Sequence, residues 1–447
     1  MTTPAPGPAD RLRALVAGGT LRLSATLGLL VTLASIAIGM GVQLTLTHVL
    51  GNDGYGAYSF AFGVVNIAGI VAKFDFDTAA TRFGGTAWAA GQWGRFRTVA
   101  RTLLLWAFGI SLSLALAGYL LLVPLGRILS VETVRVLRAA LTIVPPTAVL
   151  MVSAALVQST GRTVAAQLPQ AVIRSLVFLG LLLGLFAGLG SLTPEWAVLS
   201  NVTGTGVALL VSLVLLTRAI PAGGDEGASD ADRAAWRATA QGALLVSVGQ
   251  IILSTQMDVV LLGLFTAKRY AGFYSVASQL AGLTMLGPTA IMTVVGPRVA
   301  ALHSAGDIRA LQQLVDRSRQ GALLFTLPLL AILVIGGPWI LRLFGPDFPA
   351  GSYPPLVILA LASVIHPLLG TMGGFLLTLT GHHDQAARIV WFAAGTYLVL
   401  AFVLGPRFGP EGIATATLVA YALRAAILRH YARKNIGVDL LGARAAR

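Results

Sequence analysis

Cysteine is absent from this chain, which excludes disulfides and thiolate metal centres and leaves the redox compartment unmarked. Charge is scarce too. Asp, Glu, Lys and Arg make up 11% of 447 residues, where a soluble protein carries roughly a quarter. No G-x-x-x-x-G-K-[ST] phosphate loop, H-E-x-x-H helix or G-x-S-x-G elbow occurs, so the common ATP-driven and hydrolytic chemistries find no support. A large polar domain is missing as well. The longest polar stretch, "PAGGDEGASDADRAAWRA" (Pro221–Ala238), reads as a flexible cytoplasmic linker near the middle of the chain.

Apolar runs fill the rest: 56% of residues are hydrophobic and mean hydropathy is +0.82. Runs of about 20 residues, enough to cross a bilayer, fall near 24–49, 55–73, 100–123, 137–158, 168–190, 195–217, 240–265, 270–296, 321–344, 354–379, 387–405 and 410–429. The expected fold is an all-α polytopic membrane protein with twelve transmembrane helices. The first run lacks an Ala-x-Ala cleavage site and exceeds a signal peptide's apolar core, so it reads as a retained helix. Net charge is +14, yet the basic residues sit in short segments between apolar runs, so no nucleic-acid partner is expected. With both termini cytoplasmic, only Arg127, Arg135, Arg138, Lys268, Arg269, Arg342 and Arg407 of the 31 basic residues fall on the outer side. Basic residues are retained on the cytoplasmic side, so this orientation is favoured.

The chain also repeats itself. "VLGNDGYGAYSF" (Val49–Phe60) resembles "LFTAKRYAGFYS" (Leu264–Ser275), aligning Tyr55 with Tyr270 and Gln43 with Asp258. "GQWGRFRTVA" (Gly91–Ala100) pairs with "GDIRALQQLV" (Gly306–Val315), and Trp93, Phe96 and Ala100 match Ile308, Leu311 and Val315 at helical spacing. These stretches read as amphipathic extensions on the membrane surface, with arginines toward lipid headgroups, or as solvated helix ends. "VQSTGR" (Val157–Arg162) faces "LTLTGH" (Leu377–His382), each after a mid-span proline, Pro145–Pro146 or Pro367. "PEWAVLSNVTG" (Pro194–Gly204) faces "PEGIATATLVA" (Pro410–Ala420). The repeat unit is six spans, so two parallel six-helix repeats around a central cavity are expected. Their boundaries are 1–220 for the first lobe, 221–238 for the linker and 239–447 for the second lobe.

"LGNDGYGAYSFAFGVVNIAGI", "FDFDTAATRF" (Phe74–Phe83) and "MDVVLLGLFTAKRYAGFYSVASQL" resemble the multidrug/oligosaccharidyl-lipid/polysaccharide exporter superfamily. The similarity is greatest to its polysaccharide-synthesis branch, the flippases of undecaprenyl-pyrophosphate-linked sugars. It implies two lobes, a cavity open to one side at a time, a lipid-linked oligosaccharide as substrate and a cation-lined wall for pyrophosphate. It implies transport and no enzyme activity. No cofactor or metal is expected; partners are the bilayer, a coupling proton or cation, and other polysaccharide-assembly proteins. A drug/cation antiporter should carry a carboxylate deep in the first lobe, and the first span offers only Gln43 and His48 near its outer end, with no acid. A membrane glycosyltransferase or polymerase should carry a large charged outer loop, also lacking.

Candidate cavity residues are Lys73, Asp75, Asp77 and Arg82 at the end of the second span, Arg174 inside the fifth, Asp258 in the seventh, Arg298 closing the eighth, and Gln43. Arg174 either grips phosphate bidentately or snorkels to headgroups. The Lys73–Arg82 group is either a mouth-of-cavity anion site or a loop ion-pair network. An ionised Asp258 costs about 2.5–3.5 kcal/mol at mid-bilayer on insertion scales. It either faces the gap between bundles, pairing with a base, taking a proton or cation or holding sugar hydroxyls, or ties helices together. Gly180, Gly184 and Gly188 read as a helix-packing stripe, and "GHHD" (Gly381–Asp384) as a cytoplasmic turn rather than a metal site.

Overall fold

The computed structural model describes residues 8–127, 129–221, 228–365, 376–377 and 383–441. Every regular element among them is helical. Among the described residues, eight helices are long and apolar enough to cross a membrane, or nine if one bent pair is a single span, so the chain is a multi-pass membrane protein.

Helix α1 (Pro8–Ala72) shows why the count falls short of twelve. Its apolar part, Leu30–Ala72, has 43 residues, about 65 Å of helix against a hydrocarbon core of about 30 Å. The run is broken at Gly51, whose φ of 66° is open to glycine but strained for other residues. The expected spans 24–49 and 55–73 lie on either side of that break.

The chain divides into two compact units, Met1–Thr45 with Ala68–Ala243, and Leu46–Ile67 with Leu244–Arg447. The first unit continues from α1 through α2 (Phe76–Ala79), a π-helical segment at Ala80–Gly84 and α3 (Gly85–Ala89). It then runs through α4 (Trp93–Leu125), α5 (Val131–Leu141), α6 (Val144–Ser159), α7 (Thr163–Leu168), a second π-helical segment at Pro169–Ile173, α8 (Arg174–Leu189), α9 (Pro194–Ala219) and the start of α10 (Asp230–Ile252). Residues that pack inward are small or apolar, and Ser153 of α6 bonds Ser212 of α9 at 2.8 Å, one hydroxyl satisfying the other. Outward residues of α4 such as Leu105, Leu116 and Leu120 are more than half exposed, which suits lipid and not water.

Phe96 and Leu103 of α4, Leu156 of α6 and Trp236 of α10 share one core. Two expectations change here. The Trp93–Ala100 stripe packs against protein instead of lying on lipid: Trp93 and Phe96 both meet Trp88 edge-on, and Arg95 bonds Asp232 at 2.9 Å. The second half of the polar connector is likewise not slack. Helix α10 begins at Asp230, and Trp236 is 1% exposed because its indole is large enough to complete that core.

The second unit holds Leu46–Ile67, the rest of α10, α11 (Thr255–Phe265), α12 (Lys268–Gly282), a 3₁₀ turn at Leu283–Met285, α13 (Leu286–Ser304), α14 (Ile308–Arg342), α15 (Phe348–Ile365), α16 (His383–Tyr431) and a π-helical end at Ala432–Ile436. Helix α10 meets α11 at a 52° bend. Helix α16 breaks at Gly409 (φ 56°), between the expected spans 387–405 and 410–429. Leu46–Ile67 is closely fitted to its neighbours: a methyl on Gly56 would lie 2.2 Å from the Lys268 carbonyl oxygen. Tyr55 bonds Ser275 at 3.3 Å, and Asn52 donates to Asp347 at 2.6 Å.

Local geometry recurs where the sequence repeats. Gly91 and Gly306 have φ of 69° and 71°. The next residues, Gln92 and Asp307, share a φ of −84° with ψ of 73° and 76°, and each opens a long helix. As Phe96 does in the first unit, Leu311 and Val315 pack inside the second. The C-terminal residues close over that core. Asp439 accepts two bonds from Arg429 at 2.8 and 3.1 Å, while its backbone exchanges two bonds with the Gln312 amide, both 2.8 Å. Val438 and Leu440 are thereby buried against α14.

The glycine stripe is a further correction. Nothing lies within 4 Å of a methyl placed on Gly180, Gly184 or Gly188, so none of them serves close packing among the described residues. The close approach occurs elsewhere on α8: Gly204 of α9 would set a methyl 2.8 Å from the Arg174 carbonyl oxygen. Pro367, Gly381 and His382 lie outside the described residues.

Candidate functional site

A cavity of about 690 Å³ opens within the first unit. Its wall is built from α1, α2, α6, α7, α8 and both π-helical segments of that unit. Apolar residues such as Val31, Met151 and Ala154 alternate with hydroxyls and amides, giving a polar chamber in a chain that is otherwise mostly apolar.

The position of the polar groups follows from local backbone. Pro169 cannot donate to the carbonyl one turn back, so the ladder between α7 and α8 re-registers as a π-helix. The wider turn carries Gln170 on the cavity wall and delivers Arg174 at its end. The π-helical turn at Ala80–Gly84 does the same for Thr81. Such turns cost regular hydrogen bonding and collect at functional sites. Gly204 lets α9 press against the backbone of Arg174 and fixes the first turn of α8.

Of the residues singled out from sequence, the cavity brings together Asp77 and Arg174, its only charged lining among the described residues. Asp77 is already engaged, since Lys73 Nζ lies 2.7 Å from both its oxygens and 2.7 Å from Asp75 Oδ1. Lys73 and Asp75 are 7% and 3% exposed, and they stand behind the wall as a buried ion-pair network. Asp75 Oδ2 is buried with no hydrogen-bond partner among the described residues. A short left-handed turn at Phe74 and Asp75 (both φ 51°) aims this cluster.

The other candidates are not on that wall. Arg82 is exposed, bonds Thr239 at 3.4 Å and lies over the Phe83 ring. Arg298 is exposed on α13, and Gln43 is buried at 6%. Asp258 is 3% exposed inside the second unit. Tyr274 donates to its Oδ2 at 2.7 Å, Tyr397 donates a short bond to Oδ1, and Thr417 lies 3.4 Å from both oxygens. Its surroundings join α11, α12 and α16, the tie between helices that a lone intramembrane acid commonly makes. Sequence inspection missed Thr81, Gln158, Gln167 and Gln170. Their only trace was a polar residue recurring along runs otherwise apolar.

Known proteins resemble the chain at three levels. Residues 24–303 match the family model described as polysaccharide biosynthesis protein. A probable low-salt glycan biosynthesis flippase of Haloferax volcanii, Agl15, is 26% identical over 183 residues, 41% of this chain and 38% of that protein. The match therefore spans under two fifths of that relative's length. Among solved structures, an inward-facing multidrug resistance MATE family transporter of the MOP superfamily aligns with TM-score 0.74 and 13% identity, over 90% of this chain and 94% of its own. The lipid II flippase MurJ in an inward closed conformation aligns with TM-score 0.62 and 13% identity, over 92% and 87%. At such identity the likeness establishes the fold. The family match covers more than half of the sequence, and this chain belongs to the polysaccharide biosynthesis protein family.

Proposed function

We propose that this protein is a flippase that carries a lipid-linked oligosaccharide, on an undecaprenyl-pyrophosphate-type carrier, from the cytoplasmic to the outer leaflet for surface polysaccharide synthesis. The observation that carries the reading is the polar cavity inside a multi-pass unit of this family. A glycan head cannot cross hydrocarbon without replacing its water, and hydroxyls and amides on a protein wall supply those bonds. Agl15, a probable flippase, supports the same reading.

The finer reading is twelve spans in two parallel six-helix repeats, lobes 1–220 and 239–447 joined by 221–238, with both termini cytoplasmic in an inner membrane. The breaks at Gly51 and Gly409 and the twin Gly91 and Gly306 turns support it. Transport proceeds by alternating access, with a coupling proton or cation and other assembly proteins as partners. Arg174 and Asp77 are the charged groups that meet the cargo, Lys73 and Asp75 hold Asp77 in place, and Asp258 organises the second lobe.

The test is reconstitution. Purified protein in vesicles should move a fluorescent oligosaccharide on undecaprenyl pyrophosphate from one leaflet to the other, read by accessibility to a membrane-impermeant quencher. Movement of organic cations with none of the glycolipid would replace this reading with drug transport.

A further inference from the structure

The charge on the cavity wall does not suit a pyrophosphate. Phosphate oxygens accept bonds only and carry formal charge, so a site for two linked phosphates needs several cations or aligned donors. Among the described residues Arg174 is the single basic residue of the lining, and Asp77 opposes it. Behind the wall, Lys73 is shared between Asp75 and Asp77, so that cluster keeps one excess negative charge. Arginine and cluster together sum to zero. A neutral wall neither attracts a dianion nor rewards its desolvation.

What the wall does offer is uncharged and two-sided. Gln158, Gln167 and Gln170 each present an amide that both donates and accepts, and Thr81, whose hydroxyl donates to the Asp77 carbonyl at 2.9 Å, adds an acceptor oxygen. Adjacent sugar hydroxyls have the same double character, so each amide can take one hydroxyl proton and donate to the next oxygen. Two of these four side chains sit on π-helical turns, Thr81 on the first and Gln170 on the second. Two such turns facing one chamber indicate that polar placement is worth their cost in regular helix.

We infer that this wall is a glycan-recognition subsite, with Gln158, Gln170 and Thr81 as the residues that determine head-group specificity, and that the carrier's pyrophosphate is not bound here. The inference rests on the flippase reading and names what this part of the cavity recognises: neutral sugar hydroxyls. Arg174 contributes one directional contact and does not serve as an anion trap.

The experiment uses the full chain in vesicles with a fluorescent oligosaccharide on undecaprenyl pyrophosphate, and with sugar-free undecaprenyl pyrophosphate as competitor. Gln158→Leu/Gln170→Leu should raise the half-saturating glycolipid concentration by roughly tenfold, the loss expected for one or two hydrogen bonds. The concentration of sugar-free carrier needed to compete should change less than twofold. Isosteric Gln170→Glu, which preserves packing, should weaken glycolipid transport in the same direction and guards against a folding defect in the Leu pair. Equal loss of competition by the sugar-free carrier would overturn the inference, because the wall would then hold phosphate. Unchanged glycolipid transport by both variants would overturn it too. If the wild type moves no glycolipid at all, the flippase reading itself fails and takes the inference with it.

Discussion

Removing the hydroxyl of Tyr397 should have opposite consequences depending on whether Asp258 is present. In the native protein Tyr274 and Tyr397, both 1% exposed or less, donate to the two carboxylate oxygens of Asp258. The third neighbour, Thr417, is farther away at 3.4 Å and also reaches the Ile413 carbonyl at 3.2 Å, so it is the least committed. Tyr397→Phe alone removes one interhelical bond and should cost about 0.6–1.7 kcal/mol, the range for such bonds inside membrane proteins. Asp258→Ala strands two phenolic hydroxyls in a dry interior, at about 1–3 kcal/mol each. Its combined cost is therefore about 2–6 kcal/mol. Adding Tyr397→Phe to that variant deletes one stranded group and should restore about 1–3 kcal/mol. The assay is denaturant-induced unfolding in mixed micelles, run as a double-mutant cycle on purified protein. Equal destabilisation by Tyr397→Phe in both backgrounds would refute the argument, since the phenol would then have some acceptor other than Asp258.

Three further perturbations follow from the same accounting of buried polar groups and close contacts. Lys73→Ala leaves two carboxylates without their shared cation, and should cost about 3–5 kcal/mol in the same unfolding assay; removing Asp75 as well should recover part of that loss. Gly56→Val would press its side chain into the Lys268 carbonyl, 2.2 Å from the new Cβ, and should destabilise by about 1–3 kcal/mol, read as a drop in melting temperature. The Arg429 guanidinium bonded to Asp439 holds that carboxylate below its ordinary 3.8. Docking of the C-terminal residues is therefore fully supported above pH 3.8 and weakens only as pH falls through the depressed folded value. A nitroxide on Leu441→Cys, the sole thiol in such a variant, should sharpen its spectrum in that acidic window. In Asp439→Asn it should already be mobile at pH 7, and an immobile label there would contradict the assignment.

Much of the architecture is legible in the linear pattern because hydrophobic length and glycine placement are local signals. The break at Gly51 follows from an apolar run too long for one crossing, and the twin caps after Gly91 and Gly306 follow from matching segments. Arg174 and Asp77 are conspicuous as charges within or beside apolar runs, and both reach the cavity. Gln170 and Thr81 are not conspicuous, because their placement depends on π-helical register that no periodicity announces. The stripe at Gly180, Gly184 and Gly188 misleads for a related reason. Small residues permit close packing without requiring it, and the neighbour of α8 is set by Gly204 on another helix. Trp236 is hidden similarly: the acidic and glycine-rich residues ahead of it suggest slack chain, and only the tertiary core reveals its anchor.

The clasp between Gln312 and Asp439 has a practical corollary for handling the protein. An affinity handle fused beyond residue 441 would leave from a point pinned on both sides, by Arg429 and by the glutamine amide. Trimming the chain back to Ile436 would instead strip the cover from Leu311 and Val315 and present a greasy patch to solvent. Shortened versions should be sticky in detergent, while extended ones should behave like the parent.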